Sequence, residues 1–263
     1  MVTWHEPADL RIEDLTVELR RGSGAQAVVR GVSLTVPAGR SVGLVGESGA
    51  GKTMTACAVL RLFPTDAAVI AAGRILLGDV DLTALPEPAL ARYRGRRVAM
   101  IFQEPGAALN PVLPVGEQIM EGVVVHHGKR GARERALEVM RQVGLPAELF
   151  GRYPHHLSGG QRQRVLIAAA IAPGPSVLIA DEPTSGLDVT VQAQILDLLR
   201  RLQRDLGMGL LLITHSLGLV AHWTDHVYVM RDGTIVESGP TADLFAAPQH
   251  PYTQALVRQA LRL

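Results

Sequence analysis

Alternating apolar and polar residues near the start of the chain predict a β-hairpin. Apolar side chains occur at mostly every second position over residues 10–19, which is the pattern of a half-buried strand. Residues 21–24 have the composition of a turn, and a second strand-like stretch follows over residues 28–36. We therefore expect an antiparallel hairpin ahead of the rest of the fold.

Short, largely apolar runs farther along the chain predict buried strands. These runs cover residues 41–45, 98–101, 177–180 and 209–213. Stretches with helical character lie between them, over residues 53–63, 161–172 and 189–206. The alternation of buried strands with helices predicts an α/β fold with a mostly parallel sheet.

Turn dipeptides mark two further sites: Gly78-Asp79 predicts a turn, and Asp232-Gly233 predicts a second hairpin. The additional predicted elements are strands over residues 73–77, 80–82, 227–230 and 234–237 and a closing helix over residues 251–261.

The composition changes between about residue 104 and residue 160. Prolines and glycines separate helical stretches over residues 115–125 and 133–143, and no convincing strand is present. We expect this segment, at about residues 104–160, to be a helical subdomain inserted into the α/β core.

Residues 46–53 fit the phosphate-binding pattern G-x-x-x-x-G-K-[ST]. Glycines let successive backbone N–H groups turn inward, and the start of the following helix adds more unpaired amides, so an anion with several oxygens fits there. Lys52 is placed to reach the β- and γ-phosphates, and the Thr53 hydroxyl to bind Mg²⁺. The alternative is a glycine-rich turn that opens an ordinary helix. The loop by itself does not distinguish kinases, GTPases, motors and transport ATPases.

Two further polar stretches point to the same chemistry. Asp181 and Glu182 directly follow an apolar strand, which places two carboxylates at the carboxyl edge of the predicted sheet. Ser158, Gly159, Gly160 and Gln161 begin a helix, where serine and glycines form a second group of anion-binding amides. The 23 residues from Ser158 to Asp181 suffice for one helix, one turn and one strand. The alternatives are a helix-start acidic pair and an ordinary capped helix.

Six motifs in this order resemble those of the ATP-binding-cassette (ABC) ATPases over nearly the whole chain. Residues 46–53 resemble the Walker A loop, Gln103 the Q-loop glutamine, and residues 157–161 the LSGGQ signature. Residues 177–182 resemble the Walker B strand with its catalytic glutamate, residues 185–188 the D-loop, and His215 the switch histidine. The resemblance implies a P-loop NTPase (RecA-like) core, with an antiparallel β subdomain, in a single nucleotide-binding domain over residues 1–263.

The resemblance also implies a role for each site residue. Catalytic roles fall to Glu182, His215, Gln103 and Lys52, and Mg²⁺ would be bound by Thr53, Gln103 and Asp181. The residues that would bind ATP are Gly46, Glu47, Ser48, Gly49, Ala50, Gly51, Lys52, Thr53, Gln103, Asp181, Ser158, Gly159, Gly160, Gln161 and Asp188. No Phe, Tyr or Trp lies between Trp4 and Phe63, where the family usually stacks adenine. A side chain near Val28, or Trp4 itself, would have to take that place.

Three other stretches narrow the resemblance to one branch of the family. They resemble stretches in the ATP-binding subunits of dipeptide, oligopeptide, nickel and opine importers. These stretches are residues 102–105 with 109–111, residues 188–194 and residues 250–253. The implied function is ATP hydrolysis coupled to uptake of such a cargo. The implied partners are a second ATP-binding subunit, identical or a sister chain, two integral membrane permease subunits and an extracytoplasmic substrate-binding protein. The alternatives are a soluble ABC ATPase of DNA repair or translation and a metabolic P-loop kinase.

Composition bears on the partners and the location. Twenty-six basic and 25 acidic residues leave a net charge of +1, which gives no electrostatic case for nucleic acid. The sequence contains neither a signal-peptide pattern at its start nor an apolar stretch of about 18 residues that could span a membrane. We therefore expect a peripheral protein on the cytoplasmic face of the cell membrane, held there by permease subunits.

Overall fold

Two β-sheets carry the fold of the chain, whose computed structural model describes residues 7–22, 24–103 and 108–260. The smaller sheet is antiparallel, with the strand order β2-β1-β4-β5. Its strands are β1 (Leu10–Arg21), β2 (Gly24–Val36), β4 (Ala68–Leu77) and β5 (Val80–Asp81). The predicted hairpin at the start of the fold is confirmed.

The larger sheet has six strands in the order β10-β9-β3-β8-β7-β6. All neighbouring pairs are parallel except β9 and β10, which form the second predicted hairpin. The strands are β3 (Ser41–Val45), β6 (Val98–Ile101), β7 (Val177–Asp181), β8 (Gly209–Thr214), β9 (His226–Arg231) and β10 (Thr234–Pro240). Every residue of β3, β7 and β8 is buried, which explains why these strands read as continuous apolar runs.

Helices cover the six-stranded sheet and fill the segment between β6 and β7. They are α1 (Lys52–Leu60), α2 (Glu87–Leu90), α3 (Val115–His127), α4 (Ala132–Gln142), α5 (Gly159–Ile171), α6 (Val189–Leu206), α7 (Leu217–Trp223), α8 (Thr241–Ala246) and α9 (Pro251–Ala260). Two 3-10 helices, Ala147–Leu149 and Pro154–His156, precede α5. Between residues 108 and 160 the described chain contains helices and loops and no strand.

Alternate residues of the central strands face two different hydrophobic cores. On β8, Leu210 and Leu212 pack with the helices that include α3, α4 and α6, whereas Leu211 and Ile213 pack with α1 and the antiparallel sheet. The six-stranded sheet therefore lies between two apolar layers, and its carboxyl edge is left free for polar side chains.

Three differences from the predicted elements have local causes. Helix α1 ends at Leu60 rather than at residue 63, because Arg61 adopts a left-handed conformation with φ 49°. Strand β4 begins at Ala68 rather than at residue 73, since its alanine-rich first half pairs with β1. Helices α2, α7 and α8 were not predicted because segments of four to seven residues are too short to display a helical period.

Candidate functional site

The glycine-rich loop between β3 and α1 has a backbone that only glycine accommodates at several points. Gly49 and Gly51 have φ of 82° and 105°, in the region where side chains are strained. A Cβ atom on Gly46 would lie 2.1 Å from the carbonyl oxygen of Met230, near the end of the neighbouring strand β9. The loop is therefore packed closely against the β9–β10 hairpin.

Lys52 is buried and turned back into this loop. Its Nζ donates hydrogen bonds to the carbonyl oxygens of Gly46 at 2.7 Å and Glu47 at 2.9 Å. Burial lowers the pKa of Lys52, and the nearby carboxylates of Glu182 and Asp181 oppose that shift. The ammonium group is thus held beside the loop amides, where a bound phosphate would lie.

Asp181 ends strand β7 with a carboxylate that is 1% exposed. Burial raises the pKa of Asp181, while a hydrogen bond from the Thr53 side chain and the charge of Lys52 lower it. Within the described residues its Oδ1 atom has no hydrogen-bond partner. A buried carboxylate oxygen without a partner, beside a threonine hydroxyl, is a donor set that fits Mg²⁺.

Glu182 brings together two other predicted residues. Its Oε1 lies 2.9 Å from Nδ1 of His215, and its Oε2 accepts a hydrogen bond of 3.2 Å from Nε2 of Gln103. The three side chains come from the loops that follow β7, β8 and β6, which end at one edge of the sheet. His215 is 60% exposed, so this group of side chains faces solvent.

Ser158 is the N-cap residue of helix α5. Its hydroxyl oxygen accepts from the Gln161 N–H at 3.3 Å, and its own N–H donates to the Gln161 side chain at 2.9 Å, forming a capping box. Ser158 is exposed and lines an open cavity of about 430 Å³ with Gly159, Gly160, Gln161, Leu187 and Asp188, among others. No hydrogen bond in the described parts of the chain joins this cavity to residues 46–53.

Residues 185–188 and the start of helix α6 pack directly on the signature residues at this cavity. A Cβ atom on Gly160 would lie 2.8 Å from the Val191 side chain, and one on Gly159 would lie 3.3 Å from Leu187. Asp188 caps helix α6, since its Oδ1 accepts from the Val191 N–H at 2.9 Å. The two motifs therefore form one continuous surface.

The structure adds one site residue that sequence reasoning missed. The backbone N–H of Glu47 donates to the hydroxyl oxygen of Tyr252 in α9, at 3.0 Å. The stretch at residues 250–253 indicated only a branch of the family, and nothing in it signalled contact with the phosphate loop. The predicted motif residues Glu104 and Pro105, and Trp4 as a candidate base-stacking residue, lie outside the described residues.

Comparison with known proteins gives the family. The family model described as ABC transporter matches residues 29–185, more than half of the chain. The chain belongs to the ABC transporter family. This ABC protein accordingly binds and hydrolyses ATP, as the phosphate loop and the carboxylates beside it require.

Curated relatives resemble this ABC ATPase over almost its whole length. A putative peptide import ATP-binding protein of Brucella abortus is 47% identical over 97% of this chain and 78% of its own length. The peptidoglycan transport ATP-binding protein YejF of Agrobacterium fabrum is 48% identical over 94% of this chain and 46% of its own length.

Solved structures show the same ABC cassette fold. CbiO1 of Clostridium perfringens, described as part of the ABC transporter complex CbiONQ, superposes with a TM-score of 0.79 at 26% identity, over 98% of this chain and 96% of its own. A dimeric ATP-binding cassette bound to ADP and phosphate has a TM-score of 0.78 at 24% identity, over 88% of this chain and 98% of its own. In the described residues of this ABC ATPase, no helix is both long and apolar enough to span a membrane.

Proposed function

We propose that this chain is the ATP-hydrolysing subunit of a peptide importer, working as one nucleotide-binding domain over residues 1–263. The observation that carries the proposal is the position of Glu182. Its carboxylate contacts both Gln103 and His215 and follows Asp181, whose charge acts on buried Lys52. Residues from four segments of the chain thus meet where a terminal phosphate held by residues 46–53 would be attacked.

Phosphoryl transfer needs an aligned water molecule and fixed charge more than it needs covalent chemistry. In this proposal Glu182 accepts a proton from the attacking water, while Gln103 and His215 fix the direction of its carboxylate. Lys52 and the amides of residues 46–53 stabilise the negative charge on the phosphate oxygens. Removing the Glu182 carboxylate while the other groups stay in place should therefore preserve ATP binding but abolish turnover.

Thr53 and Asp181 are the residues that would hold Mg²⁺, with Gln103 as a third ligand. The support is the buried Oδ1 of Asp181, which has no hydrogen-bond partner in the described chain, next to the exposed Thr53. A Mg²⁺ ion held by these residues would supply positive charge against the phosphate oxygens.

The signature cavity supports a head-to-tail pair of subunits. One loop at residues 46–53 supplies hydrogen-bond donors on only one side of a triphosphate, and exposed Ser158 lines a separate cavity with Gly159 and Gly160 at the start of α5. We propose that each ATP lies between the loop of one subunit and the signature of another, which is an identical chain or a sister ATPase. ATP then holds the pair together, and hydrolysis releases it.

An apolar cavity of about 310 Å³ supports docking to a membrane subunit. Its lining includes Leu62, Ile101, Phe102, Ala108 and Ala169, and the Phe102 side chain is 41% exposed. We propose that a helix of each permease subunit seats here, next to Gln103, so that movement at the ATP site reaches the membrane gate. This contact would keep the protein at the cytoplasmic face of the membrane, where the permease receives cargo from an extracytoplasmic binding protein.

Peptide is the cargo best supported by the relatives, which are described as peptide import and peptidoglycan transport proteins. Nickel and opines stay predictions from the sequence motifs alone. A DNA-repair or translation ATPase is not favoured, because these relatives are import and transport proteins by name.

A strain that lacks this gene tests the proposal. Wild-type protein should restore uptake of a labelled peptide, and Glu182→Gln should not, because the amide cannot accept the proton of the attacking water. In purified form the variant should bind ATP normally and lose at least about a hundredfold in turnover, the range of a lost general base. Normal turnover by Glu182→Gln would show that Glu182 is not the group that accepts the proton of the attacking water. If the wild-type protein hydrolyses ATP but does not restore peptide uptake, the cargo is not a peptide.

A further inference from the structure

A tyrosine in the last helix of the fold holds the beginning of the phosphate loop. The Glu47 N–H donates to the Tyr252 hydroxyl oxygen at 3.0 Å across 205 residues of sequence. Tyr252 is 8% exposed, and burial raises the pKa of its hydroxyl. The neutral phenol is therefore the form that meets the loop.

Two other segments fix the position of Tyr252. The guanidinium group of Arg231, at the end of β9, lies over the Tyr252 ring at 5.0 Å from its centroid. The carboxylate of Glu237 in β10 accepts hydrogen bonds from the N–H groups of Gln249 at 2.8 Å and His250 at 3.0 Å, directly before α9. The hydroxyl is thus presented to the loop by a fixed support rather than by a freely rotating side chain.

The peptide groups of the loop are held from opposite sides. The carbonyl oxygen of Glu47 accepts from Nζ of Lys52 at 2.9 Å and from the Ala50 N–H at 3.2 Å, while its N–H is held by Tyr252. Phosphate oxygens compete with the Glu47 carbonyl for the Lys52 ammonium, because that group is their cationic partner. The Tyr252 hydrogen bond does not involve Lys52, so it can persist when the ammonium group moves to the phosphate.

We propose that Tyr252 is a positioning residue for the triphosphate, which keeps the first turn of the loop in place when Lys52 turns to the phosphate. The C-terminal helix thereby becomes part of the nucleotide site, although Tyr252 makes its bond to the backbone of the loop. The inference rests on the proposed phosphate-binding role of residues 46–53.

A second tyrosine provides a matched control for a purely structural effect. The hydroxyl oxygen of Tyr228 in β9 accepts a hydrogen bond from the Thr35 N–H at 3.2 Å. Like the Tyr252 bond, it joins a phenol to a backbone amide that is distant in sequence. Tyr228→Phe therefore removes the same kind of hydrogen bond without touching residues 46–53.

The experiment compares full-length Tyr252→Phe and Tyr228→Phe with wild type. Calorimetry measures the dissociation constants for ATP and ADP, and steady-state hydrolysis gives KM and kcat. Thermal unfolding midpoints are measured without nucleotide. We expect Tyr252→Phe to raise the ATP dissociation constant and KM by about three- to tenfold, as loss of one hydrogen bond allows. Its kcat at saturating ATP should change less than about twofold, and Tyr228→Phe should leave all nucleotide constants unchanged.

Two results would overturn the inference: unchanged ATP affinity in Tyr252→Phe, or an equal loss of affinity in both phenylalanine variants. A Lys52→Ala protein separates this inference from the proposed function. Weak binding by Lys52→Ala together with wild-type binding by Tyr252→Phe contradicts only the role of Tyr252. Wild-type binding by Lys52→Ala contradicts the phosphate site itself, and the inference with it.

Discussion

At the scale of single residues, Glu182 adopts a backbone conformation that few side chains tolerate. Its φ is 45°, in the left-handed region. The surrounding structure holds it there, because its N–H donates to the Ile213 carbonyl at 2.9 Å and its carboxylate contacts His215 and Gln103. Backbone strain of this kind is found where a functional side chain must point in one direction. The conformation turns the carboxylate away from the strand and toward the proposed water site.

A second residue, Gly46, should tolerate no side chain at all. In Gly46→Ala the new Cβ would approach the Met230 carbonyl oxygen to 2.1 Å, and a backbone atom cannot rotate away. We expect the free energy of unfolding to fall by about 2–3 kcal/mol, as in overpacked sites, and ATP binding to weaken. Gly151→Ala is the control, since an added Cβ there meets nothing within 4 Å. Urea denaturation measures the free energy of unfolding of both variants. An equal loss of stability in the two would show that the contact with Met230 is not the cause.

The sequence predicted the motif residues of the site but not Tyr252, for a physical reason. Gly46 to Thr53 and Asp181-Glu182 are local patterns whose function follows from a loop and from the end of a strand. Tyr252 contacts Glu47 across 205 residues, so its partner depends on how α9 packs in three dimensions. Periodicity and spacing carry no information about such a contact.

At the scale of elements, the predictions succeeded where burial alone sets the pattern. Strands β6, β7 and β8 are covered on both faces, so their apolar runs gave nearly the observed bounds. Helix α6 was predicted with its observed bounds because its buried residues form one stripe over five turns. The first half of β4 was missed, since its strand conformation depends on pairing with β1 rather than on its own residues.

Helix α9 is anchored to β10 by one carboxylate, which leads to a prediction for Glu237→Gln. Burial opposes the charge of Glu237, but hydrogen bonds from the backbone N–H groups of Gln249 and His250 hold its pKa below the usual range. A lowered folded pKa stabilises the protein above the unfolded value of about 4.3, and this contribution is lost as the pH falls through the folded pKa. At pH 7 the variant should lose about 1–2 kcal/mol in free energy of unfolding.

Hydrogen exchange with mass spectrometry checks where that loss occurs. The amides of residues 249–258 should exchange faster in Glu237→Gln, and its stability difference from wild type should narrow below about pH 4. Glu121→Gln, an exposed substitution on α3, is the control. Equal exchange rates for the α9 amides in wild type and Glu237→Gln would show that the Glu237 carboxylate does not anchor this helix.

At the scale of the whole molecule, the parallel sheet explains why distant motifs meet. Strands β3, β6, β7 and β8 run in one direction, so the loops after them reach the same edge. The signature at Ser158 is the exception, since helix α5 precedes β7 and presents its start at a separate cavity. The phosphate loop and the signature residues therefore lie at separate places on one chain, which agrees with the proposed pairing of the loop of one subunit with the signature of another.

That arrangement predicts ATP-dependent pairing of subunits through the cavity face. Val189 follows Asp188 at the rim of the cavity and is 81% exposed, so an arginine there should obstruct a facing subunit without disturbing the fold. In a Glu182→Gln background, which retains ATP, the protein should elute at twice the monomer mass with ATP and as a monomer with ADP. Adding Val189→Arg should leave it monomeric with ATP.

The matched control for this pairing is Val125→Arg in the same background. Val125 is 70% exposed on α3, and unlike Val189 it has no sequence neighbour that lines the cavity, so this variant should still pair with ATP. Size-exclusion chromatography with light scattering measures the mass directly. If Val189→Arg pairs as well as its control, the signature cavity does not face a second subunit, and the ATP of each site must be enclosed in another way.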